Sequence, residues 1–327
     1  MTDRESPEAR DAFGHFLPPE APASSVAPPQ GASFPGYPQP PDHPSGAAAA
    51  PVTPVGTLPP AWKPWIGIAA LVVSLFAAAL LGAVLVIATG NIVDGKIETD
   101  DLPAGVMIGS LVLQDLAFLA AAVGLAAIMS RPKPWHFGWR PVRAFWPAVG
   151  WSALLYTSFI LFTAVWLTAL GQTDQEDTIA QDLGADSSTT AAIAIVFLVA
   201  VGAPIVEELL FRGVMFGGLR QRLPVLPAAG VTGVLFGAVH VGGSPIAFLL
   251  PLAMLGFGLC LLYHRTGSLY PPMAVHAVNN SVAIVGALDW ATWLIPVVVV
   301  ASLAIIAGLA MLVRAMSAPV PIDAPSP

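Results

Sequence analysis

The stretch whose reading decides the fold is Pro204-Ile205-Val206-Glu207-Glu208-Leu209-Leu210-Phe211-Arg212-Gly213. It lies inside an apolar run that otherwise has the composition of a membrane helix. Each ionised side chain at a helix centre costs about 2.5–3.5 kcal/mol on the lenient insertion scale, so three cost on the order of 8–10 kcal/mol. The twelve Ile, Val, Leu and Phe residues between 191 and 211 return only about 4–7 kcal/mol, at roughly 0.3–0.6 each. A lone lipid-facing span therefore loses. The segment has to lie among other helices with its charges turned to a polar interior, and charged groups so placed are functional candidates by default.

The rest of the chain supplies those helices. Of its 327 residues, 56% are hydrophobic and only 10% charged, with a mean hydropathy of +0.75. Soluble globular domains carry about 25% charged residues, so the expected fold class is an all-α polytopic membrane bundle. The net charge of −7 does not point to nucleic acid, because the acids concentrate in the N-terminal tail and in two loops. Cys260 is the single cysteine, which excludes an intrachain disulfide. Residues 1–60 contain 15 prolines and no secretory signal. That composition buries too little surface to fold and predicts a disordered cytoplasmic tail.

Eight apolar spans of about 20 residues each are expected at 65–88, 105–129, 145–170, 190–219, 225–241, 245–263, 270–288 and 293–313. They make up a transmembrane domain over 61–316, followed by a short tail at 317–327. Cytoplasmic loops carry the excess of Lys and Arg. Arg4, Arg10, Lys63, Arg131, Lys133, Arg140, Arg143, Arg220, Arg222, Arg265 and Arg314 all fall on one side if both termini are cytoplasmic, only Lys96 falls on the other, and loops 90–103 and 171–189 are acidic. This orientation suits a plasma-membrane protein. Trp62, Trp65, Trp135, Trp139 and Trp146 fall where interfacial aromatic belts are expected. Gln114 and Asp115 sit mid-span, and an interhelical hydrogen bond is the favoured reading of Asp115. No internal repeat is visible, unlike transporters built from two related halves.

Three polar patterns recur at helical spacing: Glu207-Glu208-x-x-x-Arg212, Phe236-x-x-x-His240 and His276-x-x-x-Asn280. Glu208 and Arg212 are i, i+4 neighbours with the acid N-terminal, the favourable orientation. Glu207 is rotated by about 100° from Glu208 and does not share that partner. Pro204 deprives the carbonyl of Ala200 of its α-helical donor and favours a kink there. If the helix runs on to Arg220, Glu207 and His240 each lie roughly 20 Å deep and Asn280 roughly 15 Å. The groups then meet inside a core about 30 Å thick. Ending the helix at Arg212 would leave Glu207 too shallow, so Arg212 is expected to be buried and paired.

A carboxylate and an imidazole sharing a water can deprotonate it for attack on a carbonyl. A second imidazole and a carboxamide can donate hydrogen bonds to the oxyanion that develops. Glu207, His240 and His276 can alternatively ligate zinc, although the chain has no HExxH. It also lacks a GxSxG serine elbow and a GxGD aspartate motif. Whether a metal is bound stays open at this point.

EELLFR, FGAVH and HAVNN resemble, in order, the EExxxR, FxxxH and HxxxN motifs of the CAAX prenyl protease 2 and Abi (CPBP) family of intramembrane proteases. The resemblance covers about 105–290, with a motif core at 204–281 inside a domain core of about 190–288, and no motif position departs from the pattern. It implies that Glu207 and His240 activate water, that His276 and Asn280 form the oxyanion hole, and that Glu208 and Arg212 are structural. It also implies proteolysis of membrane-associated or lipid-anchored substrates, as in CAAX-box protein processing, by a metallo- or a metal-free glutamate mechanism. The alternative is a non-proteolytic scaffold or bacteriocin-immunity protein on the same fold, as for some Abi-type members. A proton-coupled transporter using Glu207, His240 and Asp115 is the third reading.

Overall fold

The computed structural model describes residues 62–93, 96–97, 102–173, 183–185 and 187–316. The tails expected at 1–60 and 317–327 lie outside the described residues, as does most of each acidic loop. Eight helices carry the fold: α1 (Ile66–Ala88), α2 (Ala104–Met129), α3 (Phe145–Leu170), α4 (Thr189–Leu219), α5 (Val225–Ala238), α6 (Ile246–Thr266), α7 (Tyr270–Ala287) and α8 (Leu294–Met316). The described strands, Ile92–Val93 and Lys96–Ile97, form one short antiparallel pair. Six helices, α1, α2, α3, α4, α6 and α8, are long and apolar enough to cross a membrane. The chain is a multi-pass helical membrane protein.

The charged stretch finds its place because α4 is the central helix. Every residue from Glu208 to Leu219 is buried, and α1, α2, α5 and α6 all touch this part of it. A helix buried on all sides is apolar all round, which accounts for Leu209, Leu210, Phe211, Val214, Met215 and Phe216. α4 is one helix through Arg212 to Leu219, the length that the depth argument required. It is not regular, however. At Leu198–Gly202 and Leu209–Phe216 the backbone widens to i→i+5 bonding, a form that concentrates at functional sites.

Two expectations need correction. The span expected at 225–241 stops at Ala238, and the 14 residues of α5 reach only about 21 Å. His240 accordingly sits in the turn after α5. Its N–H bonds to Gly237 O, the N–H groups of Gly243 and Ser244 both return to His240 O, and Gly242 takes φ 89°. The Gly242-Gly243 pair accepts a left-handed turn that ends the helix early. Trp62 is the second correction. It is only 2% exposed and lies 5.0 Å from the ring of Phe137, so it belongs to the core; Trp65 and Trp146 remain exposed.

α5 and α6 approach very closely because glycine replaces side chains at the contact. A Cβ added at Gly233 would lie 2.7 Å from both Ala253 O and Phe257 N, whereas one at Gly230 would meet nothing. Small residues permit such approaches between membrane helices. Gly233→Val is therefore expected to lower stability by about 1–3 kcal/mol or more, with Gly230→Ala as the silent control. Thermal unfolding in detergent checks both, and equal midpoints for the two variants would remove the packing argument.

Candidate active site

Glu208 is the hub of the polar cluster. Its Oε1 accepts hydrogen bonds from Arg212 Nη1 at 2.8 Å and from His276 Nδ1 at 2.8 Å. Arg212 Nη2 donates to the carbonyl of Gly256 on α6 at 3.1 Å. Its guanidinium carbon lies 4.6 Å from the Phe236 ring centroid. Glu208 and Arg212 have no exposed side-chain surface. One carboxylate thus gathers α4 and α7, and its arginine reaches α6 and the aromatic face of α5.

Glu207 is arranged differently. Its side chain retains 14% exposure, and Oε2 lies 3.9 Å from His276 Nε2. That distance is too long for a direct hydrogen bond. Oε2 is itself buried without a protein hydrogen-bond partner. His276 therefore stands between the two adjacent glutamates, with Nδ1 toward Glu208 and Nε2 toward Glu207. The imidazole that meets Glu207 Oε2 is that of His276.

The hydrogen bonds also constrain the imidazoles. His240 Nδ1 lies 2.7 Å from Phe236 O. A carbonyl only accepts, so Nδ1 carries the proton, and in the neutral ring Nε2 presents a lone pair. His240 is thus configured to accept a proton. His276 donates from Nδ1 to Glu208, so it can donate from Nε2 to an oxyanion only when both ring nitrogens are protonated.

Asn280 turns out to bond the irregular backbone of α4. Ala203 N–H bonds to Leu198 O in the i→i+5 register. The next donor in that register would be residue 204, a proline without an N–H. The carbonyl of Val199 is consequently the one deprived, rather than that of Ala200 as α-helical geometry had suggested. Asn280 Nδ2 donates to it at 2.9 Å. One amide hydrogen of Asn280 is committed there and the other remains for a ligand. Asn280→Ala should leave a carbonyl without a donor inside the protein and lower stability by about 1–3 kcal/mol. A thermal midpoint equal to that of the parent protein would contradict this.

Three further features shape the site. Phe236 lies under Arg212 and places its ring 5.1 Å from His240 and 5.5 Å from His276, so one aromatic side chain spaces both imidazoles. The i→i+5 stretches redirect the groups of α4. Asp115 of α2 lies against Gly202, where an added Cβ would sit 2.9 Å from its Oδ2, and it is within electrostatic reach of Glu207. It therefore borders the site through the glycine. Gln114 is exposed on α2.

Among the described residues, no three His, Cys, Asp or Glu side chains are placed to hold a metal ion. His276 and His240 engage Nδ1 with Glu208 and with Phe236 O, which leaves Nε2 of each ring as the nitrogen open to a ligand, but no chemical step is derived through a metal.

These features define a class: a multi-pass helical membrane protein with a buried carboxylate–imidazole cluster in its central helices. Residues 189–282 match the family described as "Rce1-like: Type II CAAX prenyl endopeptidase Rce1-like". It is 30% identical over 115 residues to a Bacillus subtilis (strain 168) protein described as "Putative membrane peptidase YdiL". That similarity spans 33% of this chain and 46% of the relative, so the chain matches less than half of the relative's length. No solved structure matches.

Proposed function

We propose that the chain is an intramembrane endopeptidase that hydrolyses peptide bonds of membrane-associated or lipid-anchored proteins without a covalent intermediate. The observation that carries this reading is the unequal environment of two adjacent glutamates. Glu208 is occupied by Arg212 and His276, while the buried Oε2 of Glu207 faces His276 across 3.9 Å with no protein partner. A water recruited to the partly exposed Glu207 side chain gives its proton to that carboxylate as the water oxygen attacks the scissile carbonyl. His240, with a lone pair on Nε2, is assigned as the second proton acceptor for that water. The free amide hydrogen of Asn280, joined by doubly protonated His276, stabilises the oxyanion. Glu207 then returns its proton to the leaving amine. Glu208 and Arg212 hold the arrangement, the Lys and Arg pattern supports cytoplasmic termini, and the plasma membrane is the location this reading adopts.

The test compares peptide termini in membranes of cells that express the chain and cells that lack it. New termini in membrane-associated proteins should appear only with the chain. Identical sets of termini would refute the peptidase reading in favour of the non-proteolytic scaffold.

A further inference from the structure

Away from the cluster, α3 and α6 leave a groove of about 430 Å³ between them. α3 runs from Trp151 to Phe162 along one wall, and α6 runs from Met254 to Arg265 along the other. Each wall spans twelve residues, so its ends lie about 17 Å apart at 1.5 Å per residue step. That is close to one leaflet, half of a hydrocarbon core about 30 Å thick. The walls are apolar, with Leu155, Phe159, Phe162, Phe257 and Leu261 prominent. Trp166 Nε1 donates to Ala247 O at 2.9 Å and ties the two helices together beyond the groove's far end.

The near end is cationic. Arg265 lies 4.3 Å from the ring centroid of Trp151, which caps the groove with a guanidinium. A second, smaller recess of about 130 Å³ continues from it, and shares Trp151 and Arg265 with the groove. Arg143 and His264 line this recess, and His264 Nδ1 is buried without a hydrogen-bond partner. Among the described residues, no carboxylate pairs with Arg143 or Arg265. An apolar slot one leaflet deep, ending in two uncompensated guanidinium groups, has the shape and charge of an anionic amphiphile.

We propose that the α3–α6 groove binds one anionic glycerophospholipid, with an acyl chain along the apolar walls and the phosphate at Arg265 and Arg143. Arg forks match phosphate oxygens by bidentate hydrogen bonding, and His264 supplies a further polar contact at the recess. Of the lipids surrounding the protein, an anionic one gains the attraction of both guanidinium groups and a zwitterionic one gains little. This site is separate from the carboxylate–imidazole cluster and does not depend on peptidase activity.

The test is native mass spectrometry of the full chain in detergent, with phosphatidylglycerol or phosphatidylcholine of identical acyl chains. Phosphatidylglycerol is expected to be retained in preference. The Arg143→Gln/Arg265→Gln double variant should weaken its retention by roughly tenfold to thirtyfold. The Arg131→Gln/Arg222→Gln variant removes the same charge elsewhere and should leave retention unchanged. Glycerol phosphate without acyl chains should not compete. Equal retention of the two lipids, an equal loss in both double variants, or competition by glycerol phosphate at the lipid's own concentration would each overturn the proposal. The last outcome would assign the recess to free phosphate.

Discussion

Glu207→Gln is expected to reduce production of the chain-dependent membrane-peptide termini by about 10²–10⁴-fold, the usual range for loss of a general base, with an unchanged or slightly raised thermal midpoint. The substitution keeps the shape of the side chain and removes its capacity to take a proton from water. Its effect on folding is small for a specific reason. Glu207 Oε2 has no protein hydrogen-bond partner, so the amide breaks no protein hydrogen bond there. It also removes a negative charge beside Glu208 and near Asp115. Stability and activity are therefore predicted to separate at this residue. The experiment is a time course of the chain-dependent termini in membranes holding equal amounts of parent and variant. Parent-like rates for Glu207→Gln would end the assignment of Glu207 as the base.

The architecture was largely legible because membrane insertion is governed by length and apolarity, both of which are read directly from sequence. The extension of α4 past Arg212 was legible as well, since depth along a helix follows from a fixed rise per residue. What escaped were departures from regular helix. Pro204 could be read as breaking one hydrogen bond, but which bond depends on the i→i+5 register, and composition does not reveal that register. With it, the deprived carbonyl moves from Ala200 to Val199, and Asn280 becomes its donor. The early stop of α5 follows the same pattern. Apolar character continued to Val241, while Gly242 and Gly243 turned the chain and placed His240 beyond the helix end. The pairing of imidazoles with glutamates was beyond reach for another reason. i, i+4 spacing reports neighbours on one helix only, whereas His276 meets Glu208 from α7. Phe236 could be noted only as the residue four before His240. Its contacts with Arg212 and His276 come from α4 and α7, and only His240 is near it in sequence.

Arg212→Ala is expected to be the most destabilising single change in the cluster, by about 3–5 kcal/mol, because it strands the buried Glu208 carboxylate. It also removes the bond to Gly256 O and the stacking on Phe236. Arg212→Lys should recover only part of the loss, since an ammonium lacks the rigid fork that reaches Glu208 and Gly256 together. Glu208→Leu/Arg212→Met should lose less stability than the sum of its single variants, because an apolar pair leaves no buried charge uncompensated. The double variant also separates two jobs that Glu208 performs. If Glu208 only neutralises Arg212, the double variant folds and cleaves. If Glu208 also fixes His276 through the 2.8 Å bond to Nδ1, the double variant folds but cleaves poorly, since the ring is free to turn Nε2 away from Glu207. The second outcome is expected, as α7 meets the charges of α4 through that bond. Thermal midpoints and cleavage rates measured on the same four proteins decide it, and a stable double variant with parent-like cleavage would confine Glu208 to the ion pair.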